Sequence, residues 1–194
     1  YVNGVLYGLP NNCDMATGRG CFAVATEYLD GIGYEAPADA GEIIRVSQEE
    51  MDDILAQIHE KYPEIETFRQ SSSQTTQYLD VDFLGGNAFG VLLNYGADPV
   101  VENLFDSDAY MEYCKTMYGY NQSGYMSKDA ITDTTAVSEL RNSHALVSYA
   151  TGGKPGIRNQ ESAGGVPMTI FQTKEDFMAS NAISRFPLMI PITS

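Results

Sequence analysis

The chain opens on the extended stretch Val2-Asn3-Gly4-Val5-Leu6-Tyr7-Gly8-Leu9-Pro10-Asn11-Asn12 and closes on a second apolar run, Phe186-Pro187-Leu188-Met189-Ile190-Pro191-Ile192-Thr193-Ser194. The first run predicts a strand, and the second predicts another extended crossing. We therefore expect residues 1–194 to form a single α/β unit taken from a larger protein, with crossing strands at about residues 1–10 and 186–194. Its function would then depend on a surface shared with the missing part.

Between these ends the composition is that of a folded domain. The 194 residues are 43% hydrophobic, enough for one sizeable core. The net charge of −15 would repel phosphate backbones and anionic lipids, which excludes nucleic acid as a partner. Three cysteines and two histidines, without a C-x-x-C motif, predict neither a metal site nor a cofactor.

Strands and helices alternate along the chain. Ser47-Gln48-Glu49-Glu50 is a capping box, and an apolar stripe with helical spacing follows it up to Pro63. The other predicted helices cover 26–31, 107–118 and 132–140, and the other predicted strands cover 5–9, 21–25, 88–95, 145–149 and 168–172. This alternation predicts an α/β sandwich of a sheet and helices.

The motifs of nucleotide binding and serine hydrolysis are incomplete. Gly152-Gly153-Lys154 resembles the end of a phosphate-binding loop, but Pro155 stands where Ser or Thr would bind magnesium. The chain has no G-x-S-x-G elbow.

Two further functions remain open on the residues alone. Asp80 and Asp82 alternate on a possible strand and, with Glu161, could serve a carboxylate-based hydrolase. Alternatively, the 13 tyrosines could make this a surface domain that recognises another protein.

Several short motifs occur in the order found in extracellular solute-binding proteins of ABC importers, in one lipoprotein branch of that family. The resemblance covers nearly the whole chain. Its motifs are Asn3-Gly4-Val5-Leu6-Tyr7-Gly8-Leu9-Pro10, Asn12 with Asp14-Met15, Glu27-Tyr28-Leu29-Asp30-Gly31-Ile32-Gly33, Gly124-Tyr125-Met126-Ser127-Lys128-Asp129-Ala130, Pro155-Gly156 and Ile190-Pro191-Ile192-Thr193-Ser194. One departure is Arg141-Asn142-Ser143-His144, where the family usually has a Gly-Lys turn.

The resemblance implies a fold and a function. The chain would be the second lobe of a type II periplasmic-binding-protein-like fold, a three-layer sandwich with a central mixed sheet. It would capture a small solute, most often a carbohydrate, without catalysis, and the two lobes would close by hinge bending. Its partners would be the missing first lobe and a membrane permease. The intact protein would be extracellular and anchored through a lipidated cysteine upstream of this chain.

We predict ligand contacts at two places. One is the loop after the first crossing, with Asn11, Asn12 and Asp14, and the other is the end of a later strand, with Tyr149 and Thr151. The reason is geometric, because ligands of open α/β sheets bind beyond the strand ends, where the chain changes direction.

Overall fold

The structure is a computed structural model that describes residues 15–18, 20–70, 81–84, 89–97, 99–129, 132–174 and 178–181. The predicted crossings at 1–10 and 186–194 lie outside these ranges. In chain order the strands and α-helices are β1 (Met15–Gly18), β2 (Gly20–Ala25), α1 (Thr26–Ile32), β3 (Ile43–Arg45), α2 (Gln48–Lys61), β4 (Glu66–Arg69), β5 (Val81–Phe83), β6 (Gly90–Leu93), β7 (Val101–Asn103), α3 (Asp108–Gln122), α4 (Val137–Asn142), β8 (Leu146–Gly152), α5 (Ile157–Ser162), β9 (Met168–Gln172) and β10 (Met178–Asn181).

A five-stranded mixed sheet with the order β3-β9-β2-β8-β4 forms the centre of the fold. The central strand β2 runs antiparallel to both neighbours, whereas β3 is parallel to β9 and β4 is parallel to β8. Four strands therefore run in one direction and end at the same side of the sheet. We call this side, where β3, β4, β8 and β9 end, the carboxyl edge.

Helices cover both faces of this sheet, which confirms the predicted three-layer α/β sandwich. On one face the ring of Phe68 packs against Phe22 and against Tyr120 of α3, with ring centroids 5.8 and 5.2 Å away. The α2 helix buries its apolar stripe on this face and packs beside α1. Tyr149 lies on the opposite face, where it contacts Arg141 of α4 and Glu161 of α5.

The best-predicted helix is α2. Ser47 accepts a hydrogen bond from the backbone N–H of Glu50 at 3.1 Å, and the Glu50 carboxylate accepts one from the backbone N–H of Ser47 at 2.7 Å. This reciprocal pair is the predicted capping box. The helix ends before Pro63, as predicted.

The helix predicted at 132–140 is shorter and later, since α4 covers only Val137–Asn142. The reason is the side chain of Asp133, which accepts hydrogen bonds from the backbone N–H of Thr135 and from Arg69 and so fixes a turn before the helix. The strand predicted at 88–95 is also shorter, because a 3₁₀ turn follows β6 at Asn94.

A second, smaller sheet has the antiparallel order β5-β6-β7. Its core of buried residues is Val81, Val91 and Leu104, against which Tyr110 and Tyr113 of α3 pack. The side chain of Ser107 caps α3 by accepting a hydrogen bond from the backbone N–H of Tyr110 at 3.3 Å.

The strands that flank the central sheet also pair with each other. β1 runs antiparallel to β10, with Met15 opposite Asn181 and Gly18 opposite Met178. Because β1 precedes β2 and β10 follows β9, this pair leaves the sheet at the carboxyl edge. The chain therefore enters and leaves the five-stranded sheet at one place.

Candidate functional site: the carboxyl edge of the central sheet

Polar side chains concentrate at the carboxyl edge although most of the sheet is apolar. Arg69, Thr151 and Gln172 are all buried at the ends of their strands. Thr151 lies opposite Cys21 across the β2–β8 pair, and the Cys21 thiol lies 3.7 Å from Oε1 of Gln172. Buried polar groups need partners, so their position here requires a local network.

One network is built around Glu161. Its Oε1 accepts a hydrogen bond from the Thr151 hydroxyl at 2.8 Å, and its Oε2 accepts one from the Tyr149 hydroxyl at 2.7 Å. Burial, and then the neighbouring carboxylate of Glu161, raise the pKa of the Tyr149 hydroxyl well above its usual value. Tyr149 therefore remains a neutral donor at every physiological pH.

Arg141 completes the Glu161 network. Its Nη1 donates to the backbone carbonyl of Glu161 at 2.7 Å and to the Tyr149 hydroxyl at 3.2 Å, and lies 3.7 Å from the Glu161 carboxylate. Gly164 leaves room for this guanidinium, because a Cβ at that position would collide with it. The network thus ties α4 and α5 to strand β8.

A second network holds Arg69 at the end of β4. The guanidinium donates to the Glu66 carboxylate at 2.8 Å and to Oδ2 of Asp133 at 2.6 Å. Hydrogen bonds from Thr135 and from Arg69 hold the pKa of the Asp133 carboxyl well below its usual range. Arg69 is therefore matched by two carboxylates.

A surface pocket of about 390 Å³ lies at this same edge. Gln48 at the start of α2 and Thr173 after β9 form one wall. Helix α3 supplies most of the opposite wall. The lining residues are Gln48, Ala109, Glu112, Tyr113, Lys115, Thr116, Thr173 and Lys174. Hydroxyl, amide, ammonium and carboxylate groups beside one tyrosine ring suit a polar ligand with an apolar face.

The incomplete phosphate-loop motif has a structural use. The carboxylate of Glu42 accepts hydrogen bonds from the backbone N–H groups of Gly156 and Arg158, at 3.0 and 2.9 Å. A protein carboxylate thus accepts hydrogen bonds from backbone N–H groups at the start of α5, just after this motif.

The five predicted ligand residues divide into two groups. Asn11, Asn12 and Asp14 lie outside the described residues. Tyr149 and Thr151 lie in β8 towards the carboxyl edge, but both are buried and their hydroxyls donate to Glu161. Ligand contact by any of the five stays a prediction.

The structure gives no support to the hydrolase alternative, because only one of its three carboxylates has a described side chain. Asp80 and the side chain of Asp82 lie outside the described residues, and both oxygens of Glu161 accept hydrogen bonds. Sequence reasoning missed Arg141 as the third member of this network. The sequence feature that could have indicated Arg141 is the segment Arg141-Asn142-Ser143-His144, which replaces the Gly-Lys turn of the proteins that the chain resembles.

That departure has a conformational consequence. His144 has φ 56°, a left-handed conformation that glycine adopts most easily. Its backbone carbonyl accepts a hydrogen bond from the Tyr28 hydroxyl at 2.7 Å, and its Nδ1 lies 2.5 Å from a carboxylate oxygen of Glu27. Contacts with α1 therefore stabilise the turn without glycine.

Within the described ranges, no group of three or more His, Cys, Asp or Glu side chains is arranged to hold a metal ion. No helix among the same residues has the length and apolar character required to cross a bilayer.

No family model matches the chain, and no curated protein matches it significantly. Solved structures do match. The N-glycan transport solute binding protein NgtS from Streptococcus pneumoniae, in complex with Man1GlcNAc, is 19% identical with a TM-score of 0.66 over 91% of this chain. The family 1 extracellular solute-binding protein from Alicyclobacillus acidocaldarius is 15% identical with a TM-score of 0.54 over 92% of this chain.

The chain spans only part of these proteins, 38% of the NgtS chain and 43% of the Alicyclobacillus chain. The match covers almost the whole of this chain while leaving more than half of each larger protein uncovered. The chain therefore has the α/β fold of one part of an ABC solute-binding protein.

Proposed function

We propose that this chain is one lobe of the solute-binding component of an ABC importer and that it binds a carbohydrate, without catalysis, in a cleft between two lobes. The observation that supports this most is the fold match to NgtS over 91% of this chain but only 38% of the other. The structure of NgtS with Man5GlcNAc matches in the same way, over 95% of this chain with a TM-score of 0.64.

The chemistry of the carboxyl edge agrees with this proposal. Sugar hydroxyls need both donors and acceptors, and the pocket is lined by the Lys115 ammonium, the Thr173 hydroxyl and the Glu112 carboxylate beside the ring of Tyr113. The paired β1 and β10 leave the sheet at this edge, where a connection to a second lobe would run. The first wall of the cleft would thus be the carboxyl edge.

The rest of the proposal concerns the intact protein. A second lobe would supply the other wall, and a membrane permease would receive the solute. The protein would be extracellular and held at the membrane by a lipidated cysteine upstream of this chain. The excess of acidic residues disfavours anionic partners, including nucleic acid.

Isothermal titration calorimetry of the intact protein, with Man1GlcNAc, Man5GlcNAc, a maltooligosaccharide and an unrelated tripeptide, tests this function. We expect saturable heat with at least one saccharide and none with the tripeptide. The absence of heat with every saccharide would overturn carbohydrate capture, and heat with the tripeptide alone would indicate a peptide receptor.

The same titration tests the predicted contacts. Asn12→Ala, or Asp14→Ala, is expected to weaken binding about tenfold, the effect of losing one good polar contact. Asn121→Ala, at the exposed end of α3, is the matched amide control and should bind as the wild type does. Equal affinities for all these variants would remove the loop at residues 11–14 from the site.

A further inference from the structure

Four aromatic rings form a continuous series beside the pocket. The ring centroids of Phe89 and Phe105 are 5.5 Å apart, those of Phe105 and Tyr110 are 5.1 Å apart, and those of Tyr110 and Tyr113 are 6.2 Å apart. We call Phe89, Phe105, Tyr110 and Tyr113 the aromatic ladder. It spans the small sheet and α3, because Phe89 precedes β6 and Phe105 follows β7.

The outer half of the ladder is open to solvent. Phe89 is 66% exposed and Phe105 is 45% exposed, and the neighbouring Val101 of β7 is 63% exposed. Single exposed apolar residues are ordinary, but a contiguous group marks a contact surface. The small core of Val81, Val91 and Leu104 packs against Tyr110 and Tyr113, the inner half of the ladder.

The inner end of the ladder reaches the carboxyl edge. Tyr113 lines the pocket together with Thr173, the residue that follows β9, and Gln48, the first residue of α2. The series of rings therefore runs from the pocket at Tyr113, through the partly buried Tyr110, to the exposed Phe105 and Phe89. Their spacings are similar to the size of a pyranose ring, and neighbouring rings meet edge to face at 65° and 89° or are tilted by 30°.

The charges around the ladder favour an uncharged ligand that is rich in hydroxyls. Glu102, Asp106 and Glu112 are exposed along it, and the amide of Asn103 donates to Asp106 at 2.8 Å. Carboxylates accept hydrogen bonds from hydroxyl groups but repel anionic ligands and anionic lipid. Exposed rings stack on the apolar faces of sugars, whereas carboxylates beside them bind the sugar edges.

We propose that the aromatic ladder is an extended subsite for an uncharged oligosaccharide, binding the sugar units that continue from the pocket over the small sheet. This inference rests on the proposed function and adds to it a preference for long glycans. One end of the oligosaccharide would bind in the pocket, and the next sugar units would contact Phe105 and Phe89.

The test compares a short and a long glycan on the intact protein. Phe105→Ala and Phe89→Ala should each weaken Man5GlcNAc binding about three- to tenfold in calorimetry, as the loss of one stacked ring predicts, and leave Man1GlcNAc binding unchanged. Tyr118→Ala is the matched control, because Tyr118 is an aromatic residue of α3 that is 68% exposed and lies outside the ladder. It should alter neither affinity.

A spectroscopic variant makes the result independent of stability. Phe105→Trp keeps a stacking ring and adds the first tryptophan of this lobe, and the difference in emission between this variant and the wild-type intact protein reports on position 105. We expect wild-type affinity for Man5GlcNAc and a change in tryptophan emission with this glycan but not with Man1GlcNAc.

Three other results would contradict either the proposed function or the role of the aromatic ladder. If the wild type binds neither glycan nor any other saccharide, the proposed function fails and the ladder fails with it. If the wild type binds Man5GlcNAc and the alanine variants bind it equally well, the inference alone fails. If the variants bind glycans normally but lose transport in cells, the ladder is a protein-docking face instead.

Discussion

The phenylalanines whose side chains are described differ in burial between the two sheets. Phe22, Phe68 and Phe171 on the central sheet are at most 2% exposed, whereas Phe89 and Phe105 beside the small sheet are 66% and 45% exposed. The central sheet has helices on both faces, so its rings stabilise the fold. Among the described residues, the core of the small sheet consists of Val81, Val91 and Leu104, so we expect its outer rings to contribute less to stability than those of the central sheet.

The largest expected effect tests this contrast directly. Phe68→Ala should lower the free energy of unfolding by about 3–5 kcal/mol, because it leaves a cavity between Phe22 and Tyr120. Phe105→Ala should cost less than Phe68→Ala, about 1 kcal/mol, because almost half of the Phe105 side chain is already in water. Urea unfolding followed by circular dichroism measures both. Equal losses would show that the ladder is a structural core.

The next effect concerns the buried charge at the carboxyl edge. Arg69→Met leaves Glu66 and Asp133 without their cation and should cost about 2 kcal/mol, less than a fully buried pair because both carboxylates are partly exposed. Lys128→Met, at an exposed position, is the control and should stay within about 0.5 kcal/mol. Urea midpoints at pH 7 measure the difference, and an unchanged midpoint for Arg69→Met contradicts the stabilising role.

The same network predicts an acid dependence. The pKa of Asp133 is lowered in the folded state, so its contribution is fully present above the ordinary carboxylate pKa of about 4 and is lost as the pH falls below it. Asp133→Asn should therefore lose less stability than the wild type between pH 5 and pH 2, values chosen to span about that pKa. Parallel acid profiles for the two proteins would contradict this assignment.

A smaller effect is expected from Tyr149. Tyr149→Phe removes a donor to Glu161 and should cost about 1 kcal/mol at neutral pH. Because the pKa of the folded tyrosine is raised, the stability it gives is present below about pH 10 and is lost as the pH rises further. Wild-type stability should thus fall more steeply than that of the variant above this pH, as followed by thermal unfolding.

The last comparison concerns one helix cap from each region. Ser47→Ala removes the cap of α2 and should cost about 0.5–1 kcal/mol, since the capped end is exposed. Ser107→Ala should cost more, about 1–2 kcal/mol, because this buried hydroxyl caps α3 and also donates to the Leu104 carbonyl at 2.6 Å. Thermal unfolding measures the stability that each variant loses. A larger loss for Ser47→Ala would contradict the greater contribution expected from the buried cap.

Local patterns in the sequence predicted the elements that carry strong local signals. The capping box at Ser47 and the apolar run at Met168–Gln172 gave α2 and β9 because their determinants lie within a few neighbouring residues. The strands β3 and β4 were missed. With three and four residues, they are too short for alternation to be visible, and they form only because β9 and β8 offer a parallel edge.

The candidate site depended more on contacts between distant residues. Tyr149 was predicted as the last residue of a strand and Thr151 in the loop after it, but both lie within β8. Their hydroxyls donate to Glu161, which lies on a helix that the sequence did not predict. The ladder was also invisible in the sequence. Its members come from residues 89–113 and meet only when the small sheet pairs β6 with β7 and α3 packs against it.

The sequence by itself determined the start of α2, most of the alternation of helices and strands, and the net negative charge, because capping and periodicity act over short range and charge is a simple sum. Only the tertiary structure decided which polar groups neutralise one another and which rings remain in water. Burial and hydrogen bonding are properties of the neighbours that folding brings together, and residues such as Arg141 and Glu161 meet across 20 positions of the chain.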